Sequence, residues 1–299
     1  MGYGMNIDVS VSNYDDKLTF MINNVSSINA PKNNSVLFVG KKYSKCLENM
    51  LFVNCCLVFI DEGIEIEVEL RKRHCFISCS NPRLEFCRFF EENNIFNLPL
   101  SDDYESVNGS LISATAEIGK NVTIMPFSVI GSGVRIGNDV YIGSGTKIIS
   151  PTTIGNNVVI RENVVIGTDS LAFEQDANGR YIKFPQFGGV RIGNYVDIGA
   201  NTVIGRGAVE DTIIGDNVKI DYSVFVAHNC VISDDTMLVG GTKIAGSTLI
   251  GKNVYVASAS IINKVNIGDD AYIGWGSVVV RNVPAGQRMF GCPAKKIDI

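Results

Sequence analysis

A six-residue period through the middle and C-terminal parts of the chain restricts its fold more than any other feature. Isoleucine occupies positions 112, 118, 124, 130, 136, 142, 148, 154, 160 and 166 without a slip. The register resumes at Ile192, Ile198 and Ile204, slips by four residues near Ala208 to Asp211, and continues from Ile214 through Ile220, Val226, Ile232, Leu238, Ile244, Ile250 and Val256 to Ile262. A last stretch reads Ile267, Ile273 and Val279, which makes the hexad from Ile262 to Ile267 one residue short. Valine stands two positions ahead of many of these aliphatics, as at Val134, Val140, Val158, Val164, Val196 and Val218. Residues two apart in a strand share a face, so both are expected to point inward. A helix needs apolar residues at i+3, i+4 and i+7, and a period of six gives no such stripe.

Glycine follows the aliphatic residue in many hexads, among them Gly119, Gly137 and Gly155, with Asn or Asp nearby. These residue types supply positive φ at sharp corners. Each hexad therefore reads as a short strand plus a turn, and three hexads as one triangular coil. Stacked coils make a mostly β fold, a left-handed parallel β-helix, expected over 108–280. One repeat cannot bury its aliphatic face alone, so the flanking regions are the natural caps.

Residues 168–189 break the hexads with Phe173, Tyr181, Phe184 and Phe187, which would be costly to leave wet. Insertions in a solenoid project as loops, often on the binding face. The region 1–107 has no hexads. Strand-like pieces (35–39, 57–60, 75–78) alternate there with helix-like ones (43–50, 82–92), which predicts a small α/β domain. Asn81-Pro82 supplies a cap followed by proline at the first helical position. Residues 281–299 form a tail.

A net charge of −5 with interspersed signs leaves no basic footprint for nucleic acid. The N-terminus has no cationic stretch followed by an apolar one, and the longest apolar run, Met50 to Ile60, is too short to span a bilayer; a cytoplasmic protein is expected. The eight cysteines show no C-x-x-C spacing and are expected to be reduced thiols serving as small hydrophobes. With only His74 and His228 in the chain, no His-based metal site is expected.

The most informative polar segment is Asp221-Tyr222-Ser223-Val224-Phe225-Val226-Ala227-His228-Asn229. His228 falls two residues past inward-facing Val226, close to a corner. An imidazole there suits a general base that deprotonates an amine before it attacks a thioester. A histidine that only caps a turn is the plainer alternative. Asp221 is the candidate carboxylate for the other ring nitrogen. One full coil onward lies Gly246, whose N–H is a candidate oxyanion donor. Tyr222, Asn229 and, in the insertion, Gln186 are further candidate contacts, for a sugar under the resemblance that follows.

At these residues the sequence resembles the UDP-3-O-acylglucosamine N-acyltransferases of lipid A synthesis and related nucleotide-sugar N-acyltransferases. SVLFVGKKY, CSNPRLEFCRFF, the stretch from IGTDSLAFEQD to GDNVKID, and VAHNCVI carry the resemblance. It implies a homotrimer with active sites between subunits, with His228 as catalytic histidine, Asp221 as its acid and Gly246 as oxyanion donor. It also implies a nucleotide-binding first domain in which Phe38 and Tyr43 hold the base, and no permanently bound cofactor.

Three departures stand out. A second histidine of the lipid A enzymes is replaced by the text Ile262-Asn263-Lys264-Val265. No counterpart is expected of their helical C-terminal extension, which engages acyl carrier protein. The Asn-Pro between the two base-binding aromatics is missing. The tail VPAGQRMFGCPAKKI instead looks like that of hexapeptide acetyltransferases that use coenzyme A. These features shift the expectation toward an acyl-CoA donor, an acetyl or short 3-hydroxyacyl group and a soluble amino-sugar nucleotide for surface polysaccharide, such as O-antigen, with the lipid A reaction as the alternative. Lys252, Lys264, Arg281 and Lys295 are candidate groups for the donor's phosphates. A non-catalytic trimeric scaffold is a competing class. A hexapeptide carbonic anhydrase would require more histidines than the chain has.

Overall fold

The computed structural model describes residues 7–95, 104–149 and 151–291. Two compact units emerge, one of Met1–Leu98 with Leu171–Phe187 and one of Pro99–Ser170 with Gly188–Ile299. The boundary expected at 107 therefore moves. Strand Tyr104–Val107 pairs antiparallel with Ser110–Ser113 and so belongs to the β-helix. The insertion folds as a hairpin, Phe173–Gln175 against Tyr181–Lys183, and belongs to the N-terminal unit.

The second unit is a left-handed β-helix of three parallel sheets. We call A, B and C the sheets that contain Phe225–Val226, Val231–Ile232 and Lys219–Ile220, so each coil runs from A to B to C. The hexad strands pair in parallel with their equivalents one coil on, as Val129–Ile130 does with Lys147–Ile148, and Tyr141–Ile142 with Val159–Ile160. The hexad aliphatics form the core, with Ile130, Ile142, Ile148, Ile160 and Ile166 fully buried; two positions earlier Val140, Val158 and Val164, and likewise Ser128 and Thr146, are buried beside them. Each such side chain contributes about 1.5–3 kcal/mol relative to exposure.

Two details of the hexad reading change. The short rung lies one strand earlier than expected: Ile261 is buried in strand Ser260–Ile261, and Ile262 is exposed. Ala259, two residues before Ile261, also packs inward, whereas Ser260, two before Ile262, is outward, so the alternation selects Ile261. The glycines that follow the aliphatics are required by close approach rather than by φ. A Cβ on Gly137 would sit 2.5 Å from the Gly155 carbonyl oxygen, and positive φ falls two residues further on, as at Asn121 and Asn157.

The N-terminal unit is built on a parallel sheet of Asn24–Val25, Ser35–Val39, Leu57–Asp61 and Cys75–Cys79. Helix Pro82–Glu92 starts as its sequence predicts, with Asn81 Oδ1 accepting from Leu84 N at 3.1 Å. The segment expected to be α-helical over 43–50 is a 3₁₀ helix, Lys41–Phe52, whose buried Leu47 and Met50 are three residues apart and so share a face at that pitch. Phe184 and Phe187 of the insertion do find a partner: Phe184 stacks on Phe86 at 5.4 Å, and Phe187 packs on Phe90 at 4.8 Å. Phe173 and Tyr181 stay exposed and meet edge to face. The seven described cysteines are free thiols, and burial pushes Cys87 up to about 12 and Cys75 and Cys230 up to about 11.

His74 is buried with both ring nitrogens engaged. Cys56 N–H donates to Nδ1 at 3.2 Å, so Nε2 carries the proton and donates to the Met50 carbonyl at 3.2 Å. Burial holds its pKa below the ordinary value. The neutral ring therefore contributes stability that is full above the unfolded value, about 6.5, and is lost as pH falls through the lower folded value. His74→Gln is expected to cost about 1–3 kcal/mol at pH 8, with the gap to wild type narrowing toward pH 5 in urea titrations. A gap independent of pH would contradict the neutral assignment.

Candidate active site

The corner between sheets A and B differs from the other two. The B-to-C corner is a ladder of Asn and Asp side chains, in which Asn156 Oδ1 accepts from Asn138 N at 2.8 Å and Asn194 Oδ1 from Asn156 N at 2.9 Å. The A-to-B corner instead carries the insertion, leaving after Thr168 and returning before Val190. It then carries the bulge at 206–211, His228 one coil on, and Gly246 one coil further.

His228 is half-buried at this corner. Its Nδ1 lies 3.0 Å from Asn229 Oδ1. The same Oδ1 accepts from Ala208 N at 3.0 Å, and Asn229 Nδ2 donates to the Glu210 carbonyl at 2.9 Å. With one end of the amide facing a backbone N–H and the other a backbone carbonyl, its orientation is fixed. The imidazole Nδ1 must therefore donate, and Nε2 presents its lone pair. That tautomer is the one a base needs.

Nε2 points along Gly246. A Cβ there would come within 2.5 Å of Nε2 and 2.6 Å of Cε1, so only glycine leaves room for the ring. Among the described residues, no acceptor takes the Gly246 N–H, while the Gly246 carbonyl accepts from Lys264 N at 3.0 Å. The expected stacking of His228 and Gly246 is thus present, with the Gly246 backbone N–H beside the ring.

Asp221 is not brought to the imidazole within the chain. It sits at the C-to-A corner, where its carboxylate accepts from Tyr222 N at 2.8 Å and Gly240 N at 3.0 Å. The partner of Nδ1 is Asn229, expected as a sugar contact; its side chain is committed to His228 and the bulge. Tyr222 is 61% exposed at the Asp221 corner, and Gln186 has no exposed surface. Lys264 and Arg281 are exposed on the His228 corner, beyond Gly246. Lys252 lies at the B-to-C corner, paired with Asp234 at 3.0 Å, and so is separated from them. Lys295 lies outside the described residues.

In the N-terminal unit, Phe38 packs on Phe86 at 5.1 Å and on Phe184 at 6.0 Å. Tyr43 is exposed, with Lys42 Nζ 5.7 Å over its ring, and no ring contact joins it to Phe38. Sequence reasoning missed Arg206, which the fold buries at the neck of the insertion. Its one signal was its place at the start of the slipped hexad.

Residues 115–150 and 135–168 match the family model described as bacterial transferase hexapeptide (six repeats). The UDP-3-O-acylglucosamine N-acyltransferase of Bordetella parapertussis is 44% identical over 131 residues, 42% of this chain and 36% of that protein. The protein of the same name from Methylorubrum extorquens is 42% identical over 133 residues, 44% of this chain and 38% of that one. The chain thus spans well under half the length of these relatives in the matched region. Among solved structures, UDP-N-acetylglucosamine O-acyltransferase from Moraxella catarrhalis RH4 aligns with a TM-score of 0.57 at 26% identity, over 63% of this chain and 72% of that one. UDP-N-acetylglucosamine acyltransferase from Bacteroides fragilis 9343 aligns with a TM-score of 0.53 at 28% identity, over 60% and 68%. The chain therefore carries bacterial transferase hexapeptide repeats on a left-handed β-helix and is similar over that part to the UDP-3-O-acylglucosamine N-acyltransferases.

Proposed function

We propose that the chain transfers an acyl group from a thioester to the amino group of a nucleotide-linked sugar, and that a UDP-3-O-acylglucosamine is the acceptor. The observation that carries this is the His228 imidazole, held by Asn229 with its Nε2 lone pair against the Gly246 backbone. In this reading Nε2 takes a proton as the amine nitrogen attacks the thioester carbonyl. The developing oxyanion is met by the Gly246 N–H, and collapse expels the thiol with the proton returned to sulfur. The products are an amide and a free thiol. Lys264 and Arg281, exposed on the same corner, are the groups we assign to the donor's phosphates. The N-terminal unit, with Phe38 and Tyr43, is the module we assign to the nucleotide.

The named relatives favour the lipid A reaction over the acyl-CoA, surface-polysaccharide reading. The latter keeps support from the text Ile262-Asn263-Lys264-Val265, which has no histidine where the resemblance calls for a second one. We take the donor as an acyl carrier protein or coenzyme A thioester and the working form as a homotrimer. Asp221 and Tyr222 then gain a role where one copy's C-to-A corner meets another's A-to-B corner. Reduced thiols fit action in the cytoplasm, and among the described residues no helix is long and apolar enough to cross a membrane.

The test assays the full chain with 3-hydroxyacyl carrier protein, 3-hydroxyacyl-CoA and acetyl-CoA against UDP-3-O-acylglucosamine and against UDP- and dTDP-linked amino sugars. Amide formation on UDP-3-O-acylglucosamine with a 3-hydroxyacyl thioester is expected, from a species three times the 32.4 kDa chain mass by light scattering. Turnover confined to acetyl-CoA and other amino sugars would transfer the assignment to the surface-polysaccharide reading.

A further inference from the structure

The neck of the insertion is tied to the solenoid by one buried cation. Arg206 N donates to the Thr168 carbonyl at 2.9 Å on the outgoing side, and its Nε donates to the Gly188 carbonyl at 2.8 Å on the returning side. Its Nη1 stands 3.8 Å from Asp169 Oδ1, with the side chain only 4% exposed. A guanidinium is suited to this because its planar fork serves several acceptors at once. Around it the backbone is laced to the bulge: Gly207 N donates to the Gly189 carbonyl at 3.1 Å, Gly188 N to Ala208 O at 3.3 Å, and Gly189 N to Asp211 Oδ1 at 2.7 Å. A Cβ on Gly207 or Gly188 would fall 1.6 or 2.2 Å from the Glu210 carbonyl oxygen, so that carbonyl is wedged between the two glycines.

The groups this clamp immobilises are the ones that read Asn229. Ala208 N–H and Glu210 C=O orient the amide, and Thr212 Oγ1 accepts from Asn229 N at 2.9 Å. Asn229 Oδ1 then takes the proton of His228 Nδ1. A continuous path of short polar contacts runs from Arg206 through the bulge to the ring, and it ends on the choice of which nitrogen carries the proton.

We propose that Arg206 is the positioning residue of this site: by clamping the 206–211 bulge it fixes the Asn229 amide and thereby holds His228 in the Nδ1–H tautomer. It touches no reacting atom, and its effect on rate, the kinetic half of the proposal, rests on the acyl-transfer reading above.

The chain supplies its own control, because its two histidines are held in opposite tautomers, His74 with the proton on Nε2 and His228 with it on Nδ1. Two-bond ¹H–¹⁵N spectra of the full-length protein read both rings at once. In Arg206→Met, the His228 pattern is expected to move from a single Nδ1–H form toward an average of the two tautomers, while His74 is unchanged and certifies the fold. A His228 pattern that superimposes on wild type overturns the proposal. Where Arg206→Met does not fold, Arg206→Gln, too short to span the neck, carries the same test with the same two outcomes. In turnover, Arg206→Met is expected to lower kcat about 10²-fold with KM little changed. The tautomer measurement needs no substrate. A wild-type chain without N-acyltransferase activity would remove the acyl-transfer reading and leave the positioning role to be decided by the spectra alone.

Discussion

His228→Asn is expected to lower kcat/KM for N-acylation by roughly 10²–10⁴-fold with folding and assembly intact. An amine arrives mostly as ammonium at neutral pH, and asparagine offers nothing at that position to take its proton. The substitution is conservative in shape, and the ring's only described side-chain hydrogen bond is to its neighbour Asn229, so little stability rides on it. The same base can be displaced without being removed. In Gly246→Ala the new methyl must enter the space of Nε2 and Cε1, and turnover is expected to fall in the same direction. His74→Gln serves as the control, since His74 is sealed in the N-terminal unit and has no part in proton transfer. Undiminished turnover in His228→Asn would remove the mechanism.

The second large effect is on stability. Ile160→Ala is expected to cost about 2–5 kcal/mol, measured as a shift of the denaturant midpoint. Ile160 has no exposed surface and stacks in sheet C between Ile142 and Ile198. Its neighbours cannot collapse into the void, because the ladder bonds Tyr141 N to Val158 O and Arg161 N to Ile198 O, at 2.9 and 2.8 Å, fix the coil spacing. In a solenoid each coil leans only on its neighbours, so a weakened rung also threatens cooperativity between the two halves. Thr153→Ala, on an exposed outward position, is expected to stay within about 0.5 kcal/mol. Equal costs at the two sites would contradict the inward assignment of the hexad aliphatics.

What the sequence made legible, and what it hid, divides along a physical line. Periodicity reports burial, and the aliphatic columns, the insertion and the bulge were all readable from spacing alone. The short rung is expected one strand too late because Ile261 and Ile262 are chemically alike, and only the inward Ala259 distinguishes them. The base and its stacked glycine follow from counting one coil forward. The partner of the base does not. Asp221 was the natural choice by charge, but it lies at the next corner of the triangle, and backbone amides already occupy its oxygens. Asn229 and Arg206 act through backbone atoms of a six-residue bulge, whose shape no residue pattern announces. Lys252 and Lys264 look equivalent as isolated cations, yet the coil geometry sends them to different edges.

The N-terminal unit is discontinuous in the chain, with Phe184 and Phe187 lying across the aromatic face of helix Pro82–Glu92. During synthesis the first 95 residues therefore leave the ribosome with the faces of Phe86 and Phe90 that Phe184 and Phe187 cover still open, and they stay so while the opening hexads are translated. At ordinary elongation rates that interval is on the order of ten seconds. A solenoid that begins stacking in this interval keeps the two ends of the pending hairpin close together, which makes the late closure of the earlier unit a short-range event.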